Sequence, residues 1–158
     1  SKSQIRMSFD GFTNDTVIVM SLPVDMIATA TDDSAHEIDT LLIKNNRIEI
    51  AAKDEAMAYT FLFKETDDFS PNFSRRSINI MTMPKERLIL DVKRTQEQFE
   101  YTAKGSDYAE GLADYDSFVR PISHKIDQID RSNEANWGEI RSLYDARRAK
   151  AVEWLDVI

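Results

Sequence analysis

The hydrophobic period changes once along this chain, and that change constrains its fold more than any other feature. Up to about Lys104, apolar and polar residues mostly alternate, the signature of half-buried strands. After about Asp107, apolar residues recur at helical spacing. Strands gathered ahead of helices point to an α+β fold, an antiparallel sheet with helices packed on it, rather than an alternating parallel one. The expectation is a single domain over 1–158, with a β-rich body at 1–104 and a helical part at 105–158.

Within the body, Ile5, Met7 and Phe9 alternate with polar neighbours, and Thr16–Leu22 is a β-branched apolar run. With Gly11–Asp15 as a turn, the two read as a hairpin. Pro23 stops the second strand, a short helix is expected over Val24–Ala30, and Thr31–Glu37 reads as a loop. Asn45-Asn46 sits between two apolar runs, and Asn tolerates positive φ. Pairing around that turn sets Ile43 opposite Ile48 and Leu41 opposite Ile50, all on one face. Met57, Tyr59, Phe61 and Phe63 extend the pattern. A further hairpin is expected about Pro84-Lys85-Glu86, with Thr82 meeting Leu88, Ile80 meeting Leu90 and Ile78 meeting Val92. A loop over Thr95–Gln98 then sets Tyr101 opposite Val92 and Ala103 opposite Leu90. The sum is a meander of about seven or eight strands, curled into a sandwich or half-barrel.

The tail reads as an acidic loop over Gly105–Asp116, then two helices. Phe118, Ile122, Ile126 and Ile129 form one apolar stripe, with Pro121 suited to a first turn. A final helix starts near Trp137. Asn136 and Glu139 have the spacing of a capping box, and Ile140, Tyr144, Ala151, Leu155 and Ile158 form its stripe. The two helices are expected to pair antiparallel and to cover the sheet or a partner.

Composition removes several chemistries. There is no cysteine, so thiolate zinc sites, disulfides and thiol catalysis are excluded. Four glycines, at 11, 105, 111 and 138, never cluster, so neither a phosphate-binding loop nor a dinucleotide fingerprint can be built. No Ser has Gly two residues away on both sides, as a nucleophile elbow requires. Two acidic groups could in principle hold a hard cation: Asp32, Asp33, His36 and Glu37, and Asp107, Glu110, Asp114 and Asp116. Neither matches a ligand spacing, and each reads better as a polar surface segment, so no metal and no cofactor are expected. His124 falls beside the apolar stripe and reads as a surface residue. With 28 carboxylates, abundance alone cannot choose an acid–base pair.

The net charge of −8 argues against a general nucleic-acid coat while leaving room for a local basic patch. The hairpin register expected above sets Arg76 opposite Arg94, with Arg75 and Lys93 beside them. Like charges directly opposite are unfavourable. Carboxylates at Glu65, Asp67 or Asp68 are the plainer compensation; an anionic partner is the sharper one, since Arg binds such groups bidentately. On the last helix, Trp137, Trp154, Leu155 and Ile158 are candidates for an interface, with core packing as the plainer role.

The stretch Ile38–Phe63 resembles the hairpin-plus-strand part of a replication sliding-clamp domain, over about a sixth of the chain. The resemblance rests on alternation, and the other segments lack the clamp's repeated strand–helix–strand plan, so no residue role is carried over. It implies at most a nucleic-acid-linked accessory role.

The sequence favours a non-enzymatic protein–protein interaction module: an adaptor, inhibitor or assembly subunit. Its partner would be another protein or a second copy of the chain. A nucleic-acid-linked accessory factor, clamp-like or an acidic mimic, comes second, and an enzyme with an unfamiliar site third. No run of about 18 apolar residues occurs, so no membrane partner is expected. Ser1–Arg6 is polar, unlike a signal peptide, which makes the cytoplasm the default location.

Overall fold

The computed structural model describes residues 3–12, 16–27, 36–63, 77–95 and 98–157. It is an α+β fold of two four-stranded sheets followed by two helices. The strands are β1 (Ser3–Asp10), β2 (Thr16–Pro23), β3 (Glu37–Leu42), β4 (Arg47–Ala51), β5 (Met57–Phe63), β6 (Ser77–Thr82), β7 (Leu88–Thr95) and β8 (Gln98–Lys104). Sheet one has the order β4-β1-β7-β8, and sheet two the order β3-β2-β5-β6. All pairings are antiparallel except β1 with β7, which is parallel.

The alternation read from the sequence is present and marks the core. Ile5, Met7, Phe9, Leu88, Leu90, Val92, Phe99 and Tyr101 of sheet one face Val17, Val19, Tyr59, Phe61, Phe63, Ile78 and Ile80 of sheet two. Phe63 joins the sheets, edge-on to Phe9 at 6.0 Å and to Phe99 at 5.0 Å between ring centroids. Each such side chain contributes about 1.5–3 kcal/mol on burial.

Three expected hairpins are not side-by-side pairs. β1 pairs with β4 and β7, and β2 with β3 and β5, so the two strands lie in opposite sheets. The Asn45-Asn46 turn forms as expected, with φ of 52° and 60° and reciprocal Lys44–Arg47 backbone hydrogen bonds of 3.1 and 3.0 Å. Beyond that one bridge the strands part, β3 into sheet two and β4 into sheet one. Leu41, Ile43, Ile48 and Ile50 do all pack on the core, but from two sheets. The turn at Met83–Glu86, with Lys85 at φ 71°, likewise passes β6 and β7 into opposite sheets. The reason is common to all three. An apolar row is buried equally well by a neighbour facing it across the sandwich and by one beside it in the sheet. The clamp-like hairpin over Ile38–Phe63 is therefore absent as well. The β7–β8 register is as expected, Val92 opposite Tyr101 and Leu90 opposite Ala103.

A β-bulge between Ser3 and Ile5 interrupts the β1–β4 pairing. There the fully buried Gln4 amide donates to the Met83 carbonyl at 2.8 Å and accepts from Lys53 N at 3.2 Å. It ties the β6–β7 turn to the end of β4.

The first helix, α1, runs from Asp107 to Gln128. It therefore occupies most of the stretch expected to be an acidic loop, and Pro121 stands in its interior. Ser106 caps it, accepting from Ala109 N at 3.0 Å, and Asp107 and Glu110 suit the positive end of the helix dipole. The small residues that looked loop-like, Ala109 and Ala113, let the helix lie close on β8, and both are buried. The second helix, α2 (Trp137–Val157), begins where expected after a 3-10 turn at Glu134–Asn136. Asn133 caps that turn, and the Asn136 amide donates to the Asp130 carbonyl instead of forming the expected capping box. Val24–Met26 is a single 3-10 turn; residues 28–30 of the helix expected there lie outside the described residues.

The helices run antiparallel. Arg147 donates to Ser123 Oγ at 3.1 Å, Lys150 bonds Asp114 at 2.9 Å, and Trp154 lies over Gly111. α1 contacts β8 of sheet one and β6 of sheet two, so it closes one side of the sandwich, and α2 rests on α1. Arg120 fastens this side. Its guanidinium lies 4.4 Å above the Phe99 ring, donates to the Ser77 carbonyl at 2.5 Å and pairs with Asp116 at 2.7 Å.

Candidate functional site

The outward rows of the two sheets differ in kind. On sheet one, β4 presents Arg47 and Glu49, β1 presents Arg6, Ser8 and Asp10, β7 presents Ile89, Asp91 and Lys93, and β8 presents Glu100, Thr102 and Lys104. Charges of both signs interleave. Arg6 pairs with Glu49 at 3.6 Å, Ser8 Oγ donates to Asp91, and Lys93 is opposite Glu100.

Sheet two presents Thr16, Ile18 and Met20 from β2, Ala58, Thr60 and Leu62 from β5, and Asn79 and Met81 from β6. β3 adds Ile38, Thr40 and Leu42, register partners of Met20, Ile18 and Thr16. Among the described residues this row holds no charged side chain, although 30% of the chain is charged. Most of its members are half-buried or exposed, with Leu22 and Ser77 at the row's ends buried, and their inward neighbours Val17, Val19, Phe61 and Ile78 are buried. The edge strand is the most open part, with Ile38 56% and Leu42 57% exposed. Thr60 and Asn79 bond each other at 2.8 Å, which satisfies polar groups within the row.

Of the four arginine and lysine candidates, Lys93 and Arg94 are among the described residues. Arg75 and Arg76 lie outside the described residues, and so do Glu65, Asp67 and Asp68. The register that set Arg76 against Arg94 does not exist, because β6 and β7 belong to different sheets. Lys93 and Arg94 point to opposite faces of β7, Lys93 outward beside Glu100 and Arg94 in the row of the buried Phe99.

The aromatic and apolar candidates of the last helix also divide. Trp154 packs inward between Tyr108 and Tyr115, at 5.7 and 5.6 Å between centroids. A Cβ at Gly111 would stand 2.4 Å from its indole Nε1, so that glycine is what admits the ring. Trp137 is 55% exposed, yet its indole donates to the Arg131 carbonyl at 2.9 Å. Leu155 is exposed at 62%, and Ile158 lies outside the described residues.

Asp32 and Asp33 lie outside the described residues, and among those described no three His, Cys, Asp or Glu side chains are gathered as a metal site requires. Asp114 holds Lys150, raising that ammonium above its ordinary range, and Asp116 holds Arg120. Burial, then the Asp116 charge, pushes the Tyr101 phenol well above its usual value. No helix is long and apolar enough to cross a membrane among the described residues.

No protein-family model matches the chain, and no curated protein matches it in sequence.

Sequence reasoning missed the uncharged face, although a signal was present. β2 reads Val17-Ile18-Val19-Met20 and β5 ends Phe61-Leu62-Phe63, apolar on both alternate rows. A strand that shows water only one face alternates strictly; a strand apolar on both rows has two faces to cover.

Proposed function

We propose that this chain is a non-enzymatic protein–protein interaction module, an adaptor, inhibitor or assembly subunit, whose docking surface is the outward face of sheet two. The observation that carries this reading is the absence of charge along that face among the described residues, set against a charged outward face on sheet one. Four strands at about 4.8 Å spacing make a surface about 20 Å wide, and contiguous apolar patches of this scale mark interaction sites. Sheet one carries both signs interleaved, a pattern that favours solubility over attraction of a polyanion.

The test is capture of partners from cell extract on the immobilised chain, at low and high salt, alongside the variant Ile18→Lys/Leu62→Glu, whose new charges are opposite in sign and in register. The expected result is a protein that survives high salt on the native chain and is lost from the variant, whose melting temperature and circular dichroism stay close to native. Equal capture by both chains, or capture of nucleic acid alone that disappears with salt, would overturn the reading.

A further inference from the structure

A sandwich of two open sheets has four edges, and this chain treats one of them differently. The β6 and β8 edges lie under α1, which reaches both strands. The β4 edge carries the charged Arg47 and Glu49, and the bulge at Ser3–Ile5 distorts its pairing with β1. Charge, bulges and coverage are the usual means by which proteins keep edge strands from pairing with other chains. β3 has no bulge and, among the described residues, no covering helix, and its two charged residues, Glu37 and Asp39, lie on its inward row, leaving Ile38, Thr40 and Leu42 outward. It pairs without a register shift, and among the described residues only with β2. Five of its six residues are exposed.

We propose that β3 pairs antiparallel with β3 of a second copy, joining two copies of sheet two into one continuous eight-stranded sheet about a two-fold axis. This rests on the reading of the chain as an interaction module and adds a contact at the edge of sheet two, beside the outward face. The sequence of the strand selects both the occupant and the register. A two-fold axis normal to the sheet keeps outward residues opposite outward residues. With Thr40 opposite Thr40 of the second copy, Ile38 of each copy meets Leu42 of the other, and Asp39 meets Leu41. No carboxylate then faces another. One step toward the N-terminus sets Asp39 against Asp39, which is repulsive. One step toward the C-terminus sets Ile38 against Lys44, beyond the strand end. The pattern Ile-x-Thr-x-Leu is thus self-complementary in one register. In this register the outward row brings no charge against its copy, and the inward Asp39 residues of the two copies lie diagonal to each other, about 7–8 Å apart, rather than directly opposite. An edge of six residues, about 20 Å long, gives a small interface, so the dimer is of the weak, concentration-dependent class.

Sedimentation equilibrium of the purified chain tests this without any other partner. The native chain should rise to twice the mass of one chain with concentration, and Thr40→Lys and Thr40→Glu should each stay monomeric with a near-native melting temperature. An equimolar mixture of the two variants should recover the dimer, because position 40 meets itself across the axis. A native chain that remains monomeric up to about 1 mM would overturn the proposal. So would variants that dimerise as the native chain does, or a mixture that stays monomeric. Any of these leaves the Ile18/Leu62 capture result standing, and a failed capture leaves the sedimentation result standing.

Discussion

On β7 the inward Leu90 and Val92 alternate with outward Asp91 and Lys93, whereas on β5 the inward Phe61 and Phe63 alternate with outward Thr60 and Leu62. The inner rows of the two sheets are interchangeable in character; the outer rows are not. Burial inside the sandwich therefore does not explain sheet two's outer row, because the same fold tolerates charge there on sheet one. What separates them, on the proposed reading, is what each face meets outside. Sheet one meets water. Sheet two has an apolar surface that gains about 25 cal/mol for each Å² taken out of water.

The largest expected effect tests whether the outer row of sheet two is surface at all. Phe61→Ala, fully buried on β5, should lower stability by about 3–5 kcal/mol, and its neighbour Leu62→Ala by only about 1 kcal/mol, in urea unfolding. Equal losses would mean that Leu62 is core and that the contrast between faces is wrong.

A middling effect belongs to the covered side. Gly→Ala inside a helix ordinarily stabilises by about 0.5–1 kcal/mol. Gly111→Ala should instead destabilise by about 1–2 kcal/mol, because the new methyl meets the Trp154 indole. Adding Trp154→Ala to Gly111→Ala should show strong coupling in a double-mutant cycle. Additive losses would mean that α2 does not bear on α1 at this point.

The smallest effect is expected on sheet one's outer face. Arg6→Ala removes an exposed pair with Glu49 and should cost about 0.2–1 kcal/mol, less at high salt. A loss as large as that of Phe61→Ala would give the charged face a structural role that the comparison denies it.

Much of this was legible in the residues. Alternation named the inward rows, the positive-φ turn at Asn45-Asn46, the β7–β8 register and the start of α2. The partner of each strand was not legible, and the β6–β7 pairing from which the arginine pair was inferred does not form. Asp107–Asp116 was read as loop because Ala109, Gly111 and Ala113 have no apolar bulk to show a stripe. Their smallness serves close helix packing, which becomes visible only when β8 and Trp154 are in place.

By itself, then, the sequence determined which side of each strand leaves water, because side-chain transfer is a local property with a period of two. Tertiary structure decided which strands are neighbours, since an apolar row gains the same burial from a strand beside it as from one across the core. It also decided that Trp154 turns inward, and that β3, among the described residues, pairs with β2 alone. Those outcomes depend on where the rest of the chain goes, and no single window of residues contains that information.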